Sequence, residues 1–251
     1  MPDLNSISPD SSPAFSLLTE HPTGEEYVAY LESISEYNKL KIHTGVQLNN
    51  IEQTDRYFSL DTSKGEYRCV YVIWAAGEYQ YPKQNSFPGQ DLCVHFSEIE
   101  SFEDYPGDDV AIVGAYESGF DAAINLSHAG KQVTIFDGES YVELVNSDSS
   151  YSLSPFTRDR LAEVFDDLVY HKNTKVTQVQ FQDGTYSIET DQDITLTTKT
   201  KPICCNGFDS SLTLVKDFFD FHEDYPLING MDESTKTENF FLVGPQVKHS
   251  E

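Results

Sequence analysis

A loop with glycine at both ends, residues 114–119, joins a short apolar run to a helical pattern. The apolar run is Val-Ala-Ile-Val at 110–113, and the loop reads Gly-Ala-Tyr-Glu-Ser-Gly. Gly114 permits a tight turn off a strand, and Gly119 lets the next helix pack close to the sheet. The helix N-terminus then offers unpaired N–H groups and partial positive charge to a pyrophosphate. We predict a nucleotide site formed by Gly114, Ala115, Tyr116, Glu117, Ser118 and Gly119; a structural turn without a ligand is the alternative.

Tyr116 departs from this loop pattern, because glycine at the middle position normally lets the backbone approach the phosphates. Asp137 follows a second apolar strand at 132–136. An acidic residue there can accept hydrogen bonds from the adenosine ribose and repel a 2′-phosphate, which favours NADH over NADPH. The alternative is that Asp137 is a solvated residue at a strand end.

Three further apolar runs end at glycine, a frequent setting for nucleotide sites at the carboxyl ends of strands. They lie at 69–77, 202–208 and 240–245. The candidate cofactor-binding residues at these ends are Ala76, Gly77, Gly207 and Gly244.

The remaining patterns supply the framework for these loops. The strand, loop, helix and second strand at 109–137 predict a βαβ unit with its two strands parallel. The other predicted elements are a helix from the capping box at Thr23 to near Asn38, a meander at 42–51, 57–62 and 67–76, a helix starting at Ser154-Pro155, a hairpin at 176–190 around Asp183-Gly184, and a strand within 194–200.

The charge balance excludes some classes of partner. The 251-residue chain has 42 acidic and 16 basic residues, a net charge of −26, spread along its length. Such a surface repels nucleic acid and anionic lipid, and suggests a protein kept soluble by charge in a salty cytoplasm. No apolar run reaches the roughly 18 residues of a membrane span. We therefore expect a cytoplasmic protein with a small-molecule nucleotide as its partner.

Four cysteines, Cys69, Cys93, Cys204 and Cys205, form no Cys-x-x-Cys pair and show no zinc-ligand spacing. We interpret Cys204 and Cys205, which are adjacent in the apolar run at 202–205, as buried inert thiols. We predict no metal site. A Ser/His hydrolase is also disfavoured, because the chain has no Gly-x-Ser-x-Gly nucleophile motif.

Taken together, these residues resemble the NAD(P)-binding flavoproteins that include flavin-containing monooxygenases, the monooxygenases named after a cobalt-zinc-cadmium resistance locus, and bacillithiol-disulfide reductase-like proteins. The resemblance covers nearly the whole chain and rests on the loop at 114–119, on Trp-Ala-Ala-Gly-Glu-Tyr-Gln-Tyr-Pro at 74–82, and on Phe-Leu-Val-Gly-Pro at 241–245. It implies NAD(P)H and FAD as cofactors and hydride transfer from the nicotinamide to the flavin.

The resemblance also implies an α/β fold with two Rossmann-like domains. The nicotinamide domain, 106–205, would be inserted in an incomplete flavin domain, 1–105 and 206–251. The family's opening βαβ unit, which holds the flavin pyrophosphate, and its closing helix have no counterpart here. We therefore expect weak or no FAD binding, and an exposed apolar seam at the sheet edge that favours association. In the disulfide-reductase branch the proposed active cysteine lies in that opening unit, so none here inherits its role.

His95 is a weak catalytic candidate. It ends a segment, residues 87–97, similar to the Phe-x-Gly…His segment of flavin monooxygenases, but five residues instead of three separate Gly89 from His95. This departure weakens a monooxygenase assignment, and a hydrogen-bonded structural histidine is the alternative. The leading hypothesis is an NAD(P)H-dependent flavoprotein oxidoreductase, monooxygenase- or disulfide-reductase-like; the rival is a truncated nucleotide-binding fragment without turnover.

Overall fold

The computed structural model describes residues 16–19, 21–144 and 152–247. Contacts divide the chain into two units, one comprising 1–55 with 59–68 and the other 56–58 with 69–251. The stretch at 1–22 is rich in Ser, Pro and Asp, a composition that predicts irregular structure, and the stretch at 146–152 is polar; both lie mostly outside the described residues. The predicted domain boundaries at 105 and 206 stay a prediction.

The first unit contains helix α1 (Gly24–Tyr37), which starts at the predicted capping box. The Thr23 hydroxyl accepts the Glu26 N–H, and the Glu26 carboxylate accepts the Thr23 N–H at 2.8 Å. Two amides that a helix N-terminus would leave unpaired are thereby satisfied. The helix ends at Asn38, as predicted.

A three-stranded sheet follows, in the order β1 (Leu48–Gln53), β2 (Phe58–Thr62) and β3 (Gly65–Cys69). The meander is confirmed, but two of its predicted bounds were wrong. The first strand begins at Leu48 instead of residue 42. The run predicted at 67–76 is two strands, because β3 ends at Cys69 and the following residues pair elsewhere.

The second unit is built on a five-stranded parallel sheet. Its strands lie in the order β5 (Val94–His95), β12 (Ile203–Cys204), β6 (Asp109–Val113), β7 (Gln132–Asp137) and β8 (Val169–Lys172). Val110 pairs with Val133 and Val113 with Phe136, so the predicted parallel βαβ unit is confirmed. Strand β8 was not predicted; its side chains are only half-buried or exposed, and its apolar pattern is correspondingly weak.

Two helices accompany this sheet, α2 (Glu117–His128) and α3 (Pro155–Val164). The predicted start of α3 is confirmed, because the Ser154 hydroxyl accepts the Thr157 N–H and Pro155 occupies the first turn. Helix α2 packs one face into the core. The fully buried side chains of that face are Phe120, Ala122, Ala123, Ile124 and Leu126.

An antiparallel sheet lies between α3 and β12 in sequence: β9 (Val176–Gln182), β10 (Thr185–Thr190) and β11 (Thr195–Thr198). Asp183 and Gly184 both adopt positive φ at the β9–β10 turn, as a two-residue hairpin of the predicted type requires. The structure is thus a mixed α/β fold; the arrangement of two Rossmann-like domains stays a prediction.

A second parallel pair joins β4 (Val72–Trp74) to β15 (Phe240–Leu242), and a small hairpin is formed by β13 (Phe221–His222) and β14 (Tyr225–Pro226). Val72 and Trp74 are buried, whereas Ile73 between them is 66% exposed. Tyr71 and Val243, which flank the pair, are exposed as well. Parallel strands are normally covered on both faces. This pair therefore exposes apolar side chains, whereas the expected apolar seam at the sheet edge and association through it stay predictions.

No helix among the described residues is both long and apolar enough to cross a membrane.

Gly119→Ala is predicted to destabilise the protein. A Cβ at Gly119 would lie 2.1 Å from the Gly114 carbonyl oxygen, so backbone must shift. We expect a loss of about 1–3 kcal/mol in the free energy of unfolding, the usual cost of overpacking. Urea unfolding measures it.

The matched control is Gly24→Ala, where an added Cβ meets open space in α1. This variant should keep or slightly raise stability, because alanine favours helix over glycine. Equal stability of the two variants would contradict the proposed close packing at Gly119.

Candidate nucleotide-binding cleft

A cleft of about 740 Å³ opens where the carboxyl ends of β6, β7 and β12 meet. Residues following each strand line it, including Gly114 after β6, Gly138 after β7 and Cys205 after β12. In open parallel sheets, ligands bind outside the carboxyl ends of the strands, where neighbouring connections diverge. The position and size of the cleft therefore suit a nucleotide.

The floor of the cleft is backbone, because two glycines bring main chains into close contact. Gly114 has φ +98°, and a Cβ there would lie 2.4 Å from the Cys205 carbonyl oxygen. The Gly114 N–H donates to the Phe136 carbonyl at 3.0 Å. Gly119 packs against Gly114. Both predicted roles of these glycines, the tight turn and the close helix approach, are present in the structure.

Helix α2 begins directly at this floor. Tyr116 is its N-cap residue and supplies no side-chain cap. The amides of a first helical turn have no acceptor within the helix, so they and the helix dipole favour an anion. Ala115, Tyr116 and Ser118 line the cleft beside this helix end.

Tyr116 fits the middle position of the loop without glycine's freedom. Its φ of −129° is ordinary extended backbone. Its hydroxyl donates to the Ser152 carbonyl at 3.1 Å, and its ring lies 4.7 Å, centroid to centroid, from that of Tyr141. The side chain is thus anchored to neighbouring segments at its tip and along its ring.

Glu117 does not line the cleft and instead joins two helix starts. Its carboxylate accepts the Ser154 N–H and the Thr157 hydroxyl, each at 2.5 Å. Both donors belong to the N-terminal turn of α3, which favours negative charge. Glu117 therefore fixes α3 against the start of α2.

Asp137 is fully buried, with 0% of its surface exposed, and does not line the cleft. Its carboxylate accepts the Glu139 N–H at 3.0 Å, the Tyr141 N–H at 2.9 Å and the Tyr170 hydroxyl at 2.7 Å. Burial and the bond to this carboxylate raise the pKa of Tyr170 above its usual range, so the phenol keeps its proton. Asp137 thus orders the loop after β7.

Two exposed charged groups lie on the cleft wall, Glu139 from the loop after β7 and Lys175 from the segment after β8. Glu139 and Lys175 both line the cleft and form an ion pair at 2.8 Å. The pair raises the pKa of Lys175, which stays protonated. Gly138 allows this arrangement, because a Cβ there would lie 2.9 Å from the Lys175 stem.

The opposite wall is formed by two segments, 83–87 and 205–208. The Lys83 N–H donates to the Gly207 carbonyl at 3.0 Å, and the Asn206 amide donates to the Ser86 hydroxyl at 2.7 Å. The Asn206 Oδ1 is buried and has no partner among the described residues. Gly207 therefore lines this cleft, and its role in cofactor binding stays a prediction.

His95 behaves as a structural histidine in this fold. Its Nε2–H donates to the Gly207 carbonyl at 3.0 Å, because a carbonyl can only accept. Its Nδ1 accepts the Ser97 N–H at 3.2 Å. The ring is 5% exposed and packs edge-on against Phe208. Both ring nitrogens are engaged, which supports the structural alternative.

Ala76, Gly77 and Gly244 lie outside this cleft. Ala76 and Gly77 follow β4, and Gly244 follows its parallel partner β15, so all three lie at one end of the second parallel pair. Gly77 and Gly244 both adopt positive φ. The candidates named from sequence therefore separate into two groups, one at each parallel sheet.

Several cleft residues were not among the candidates named from the sequence. Glu139 lies two positions beyond Asp137 and could have been proposed from that spacing alone. The others are brought in from distant segments by the fold: Lys83, Ser86, Phe87, Tyr141, Lys175, Asn206 and Phe208.

A family model described as pyridine nucleotide-disulphide oxidoreductase matches residues 1–244. The chain belongs to this family. Bacilliredoxin reductase Bdr of Bacillus subtilis is 35% identical over 85 residues, which are 34% of this chain and 26% of that protein. A CzcO-like uncharacterized oxidoreductase of Geobacillus kaustophilus is 29% identical over 111 residues, 43% of this chain and 32% of that protein. The matches thus span about a quarter to a third of these relatives.

Two solved structures illustrate the shared fold. Bacillithiol disulfide reductase Bdr (YpdA) from Staphylococcus aureus has a TM-score of 0.79 at 22% identity, covering 97% of this chain and 74% of that one. A flavin-containing monooxygenase from Stenotrophomonas maltophilia has a TM-score of 0.69 at 15% identity, covering 90% and 70%. The predicted resemblance to this superfamily is confirmed.

The four cysteines of this member of the pyridine nucleotide-disulphide oxidoreductase family are free thiols. Burial raises the pKa of Cys93 and of Cys204 to about 12, and it also raises the pKa of Cys205 well above its usual value. A thiol with a raised pKa stays protonated at neutral pH and is a poor nucleophile. Cys205 lines the cleft but is only 8% exposed.

Thiol titration is predicted to separate Cys69 from the other three cysteines. At pH 8 the native protein should react with an aromatic disulfide reagent at Cys69 alone, because Cys69 is half-buried and the others are buried. Reaction at all four should follow in denaturant.

Cys69→Ser is the control and should remove the native signal. Rapid native reaction of Cys205 in that variant, located by mass spectrometry, would contradict the inert interpretation of the cleft thiol.

Proposed function

We propose that this chain binds a nicotinamide dinucleotide in the 740 Å³ cleft and serves as the nicotinamide-binding part of a flavin-dependent oxidoreductase. The observation that carries the proposal is the uncapped start of α2 beside the glycine floor, at the carboxyl ends of β6, β7 and β12. Those features suit a pyrophosphate. The resemblance to the flavoprotein family implies that the nicotinamide passes hydride to a flavin.

The dinucleotide would lie with its adenosine toward β7. In this type of fold the group that contacts the adenosine ribose follows the second strand of the βαβ unit, here β7. The nicotinamide would then lie toward β12, near Asn206 and Phe208. The Asn206 amide donates toward Ser86 and the Lys83 carbonyl, so its oxygen is left to accept. A ligand donor reaching that side would relieve the unpaired atom after a small rotation of the side chain.

NADH remains the proposed nucleotide, but we assign the ribose contact to Glu139 instead of Asp137. The Asp137 carboxylate is buried and already accepts three hydrogen bonds. Glu139 is exposed on the cleft wall and can accept from the ribose diol. A 2′-phosphate would meet this carboxylate and would have to displace it from Lys175.

FAD does not fit the strand ends at Gly77 and Gly244, because a pyrophosphate site of this kind needs a helix N-terminus beside the glycine. In the described part of the chain, neither Gly77 nor Gly244 is followed by an α-helix. A flavin pyrophosphate would therefore lack the helix N-terminus that suits such a group. Weak or absent FAD binding by this chain therefore stays our proposal.

Binding of a nucleotide without turnover is the second candidate function, favoured because no α-helix follows Gly77 before β5. The two are separated by titrating purified protein with NADH in a calorimeter and recording its absorbance between 350 and 500 nm, the flavin region. NADH binding with no flavin absorbance, and no NADH oxidation when FAD is added, supports binding alone. Flavin absorbance with NADH oxidation supports the oxidoreductase. Failure to bind NADH contradicts both.

Glu139→Gln is predicted to narrow the preference for NADH over NADPH. The change removes the charge that accepts from the ribose and releases Lys175 to pair with a 2′-phosphate. The affinity ratio measured by calorimetry should fall roughly tenfold, because hydrogen bonds to charged groups contribute on the order of 1.5–3 kcal/mol.

Asp137→Asn is the comparison variant. It should lower the affinities for NADH and NADPH by the same factor, because the buried carboxylate holds the loop and does not touch the ribose. A change in the NADH-to-NADPH ratio in Asp137→Asn but not in Glu139→Gln would return the ribose contact to Asp137.

A further inference from the structure

Tyr116 and Tyr141 form an aromatic pair in one wall of the cleft. Their ring centroids are 4.7 Å apart and the ring planes are inclined by 50°. Both side chains are half-buried, pack against the hydrophobic core beside the parallel sheet, and line the cleft. The pair therefore has one side supported by the core and another available to a ligand.

The position of Tyr141 is fixed by its backbone. Its N–H donates to the buried Asp137 carboxylate at 2.9 Å, and a short 3₁₀ turn begins at this residue. Ser140, just before it, adopts φ +55° and donates its hydroxyl to Asn173 at 2.8 Å. A ring held this way loses little conformational freedom when a ligand packs on it.

Tyr116 is pinned at the other end. Its hydroxyl donates to the Ser152 carbonyl, while its backbone caps the start of α2 in an extended conformation. The residue type that departs from the glycine pattern therefore contributes a ring to the wall next to the proposed pyrophosphate position.

We infer that the Tyr116–Tyr141 pair is the binding surface for the purine base of the dinucleotide. This inference rests on the proposed function, which places adenosine toward β7. Tyr141 lies on the loop after β7, four residues beyond its last residue, Asp137. Purine rings stack on tyrosine through dispersion and π contacts that need no charge.

The charge of the protein favours aromatic side chains over a cationic side chain as the binding surface for the purine. The chain carries a net charge of −26, and Lys175 on the same wall is paired with Glu139. Neutral rings supply attraction for the base without separating that ion pair. The purine would thus be held by aromatic contact and the ribose by Glu139.

The test uses full-length protein and three ligands: NADH, 1,N6-etheno-AMP and reduced nicotinamide mononucleotide, which has no purine. Tyr141→Ala should lower the affinities for NADH and etheno-AMP roughly tenfold, within the range measured for base–aromatic stacking. Binding of the mononucleotide should not change. Tyr141→Phe should retain wild-type affinities, because it keeps the ring.

The fluorescence of etheno-adenine distinguishes stacking on Tyr141 from a merely structural role of this residue. Stacking quenches etheno-adenine emission, so wild type and Tyr141→Phe should quench it on binding. Tyr141→Ala, measured at a saturating concentration, should not. Tyr37→Ala is the control, because Tyr37 is 87% exposed in α1 and should leave all affinities unchanged.

The outcomes are distinguishable. If wild type binds neither NADH nor etheno-AMP, the proposed function fails together with this inference. If wild type binds both but Tyr141→Ala leaves their affinities intact, only the purine surface is overturned. Equal loss of NADH and mononucleotide, or bound etheno-AMP with unquenched emission, also overturns it. Urea unfolding of Tyr141→Ala confirms that the variant is folded.

Discussion

The cleft depends on the close approach of the loop after β6 to the end of β12. Gly114 lies so near the Cys205 carbonyl that no Cβ fits between them, and Gly119 lies as near Gly114. The Cys205 N–H donates to the Val113 carbonyl at 2.7 Å, which fixes the two strand ends in register. Because these contacts are between backbones, they set the place where α2 begins. The helix end, the cleft floor and both walls are positioned relative to that point.

Electrostatics then distinguish this cleft from the rest of the surface. The chain has 26 more acidic than basic charges, whereas the cleft wall carries Lys83 and Lys175 against Glu78 and Glu139. A dinucleotide is an anion and must approach through a repulsive field. Salt screens that field over about 10 Å at 0.1 M, while the helix end acts at contact distance. The local backbone, more than any side-chain cation, therefore supplies the attraction for a pyrophosphate.

Local signals predicted the parts of the fold that local interactions determine. The capping box at Thr23, the start of α3 at Ser154 and the hairpin at Asp183 each depend on atoms a few residues apart, and each is confirmed. The glycine loop belongs to the same class. Its position in the cleft follows from one strand, one turn and one helix.

Features that depend on contacts between distant segments could not be predicted from the sequence. Residues 69–76 read as one apolar strand, but Val72–Trp74 pairs with a strand more than 160 residues away in sequence, as the register with Phe240–Leu242 shows. Asp137 is the other case. Its spacing suggested a ribose ligand, yet Tyr170, on the unpredicted strand β8, donates to its carboxylate and helps to bury it. A residue's type and spacing indicate what it can bind. Whether it can still accept a hydrogen bond from a ligand depends on the donors that the fold places next to it.

The two walls of the cleft are held by different chemistry, which bears on how each could respond to a ligand. On the adenosine side, one buried carboxylate orders the loop, and its bonds are all satisfied. On the other side, His95 and the Lys83 N–H both donate to the Gly207 carbonyl, while the Asn206 Oδ1 has no partner in the part of the chain that the structure describes. A buried acceptor without a donor costs on the order of 1–3 kcal/mol. The hydrogen bonds of the wall proposed for adenosine are therefore complete without a ligand, whereas the opposite wall could gain one. We expect ligand binding to change the protein most at that opposite wall.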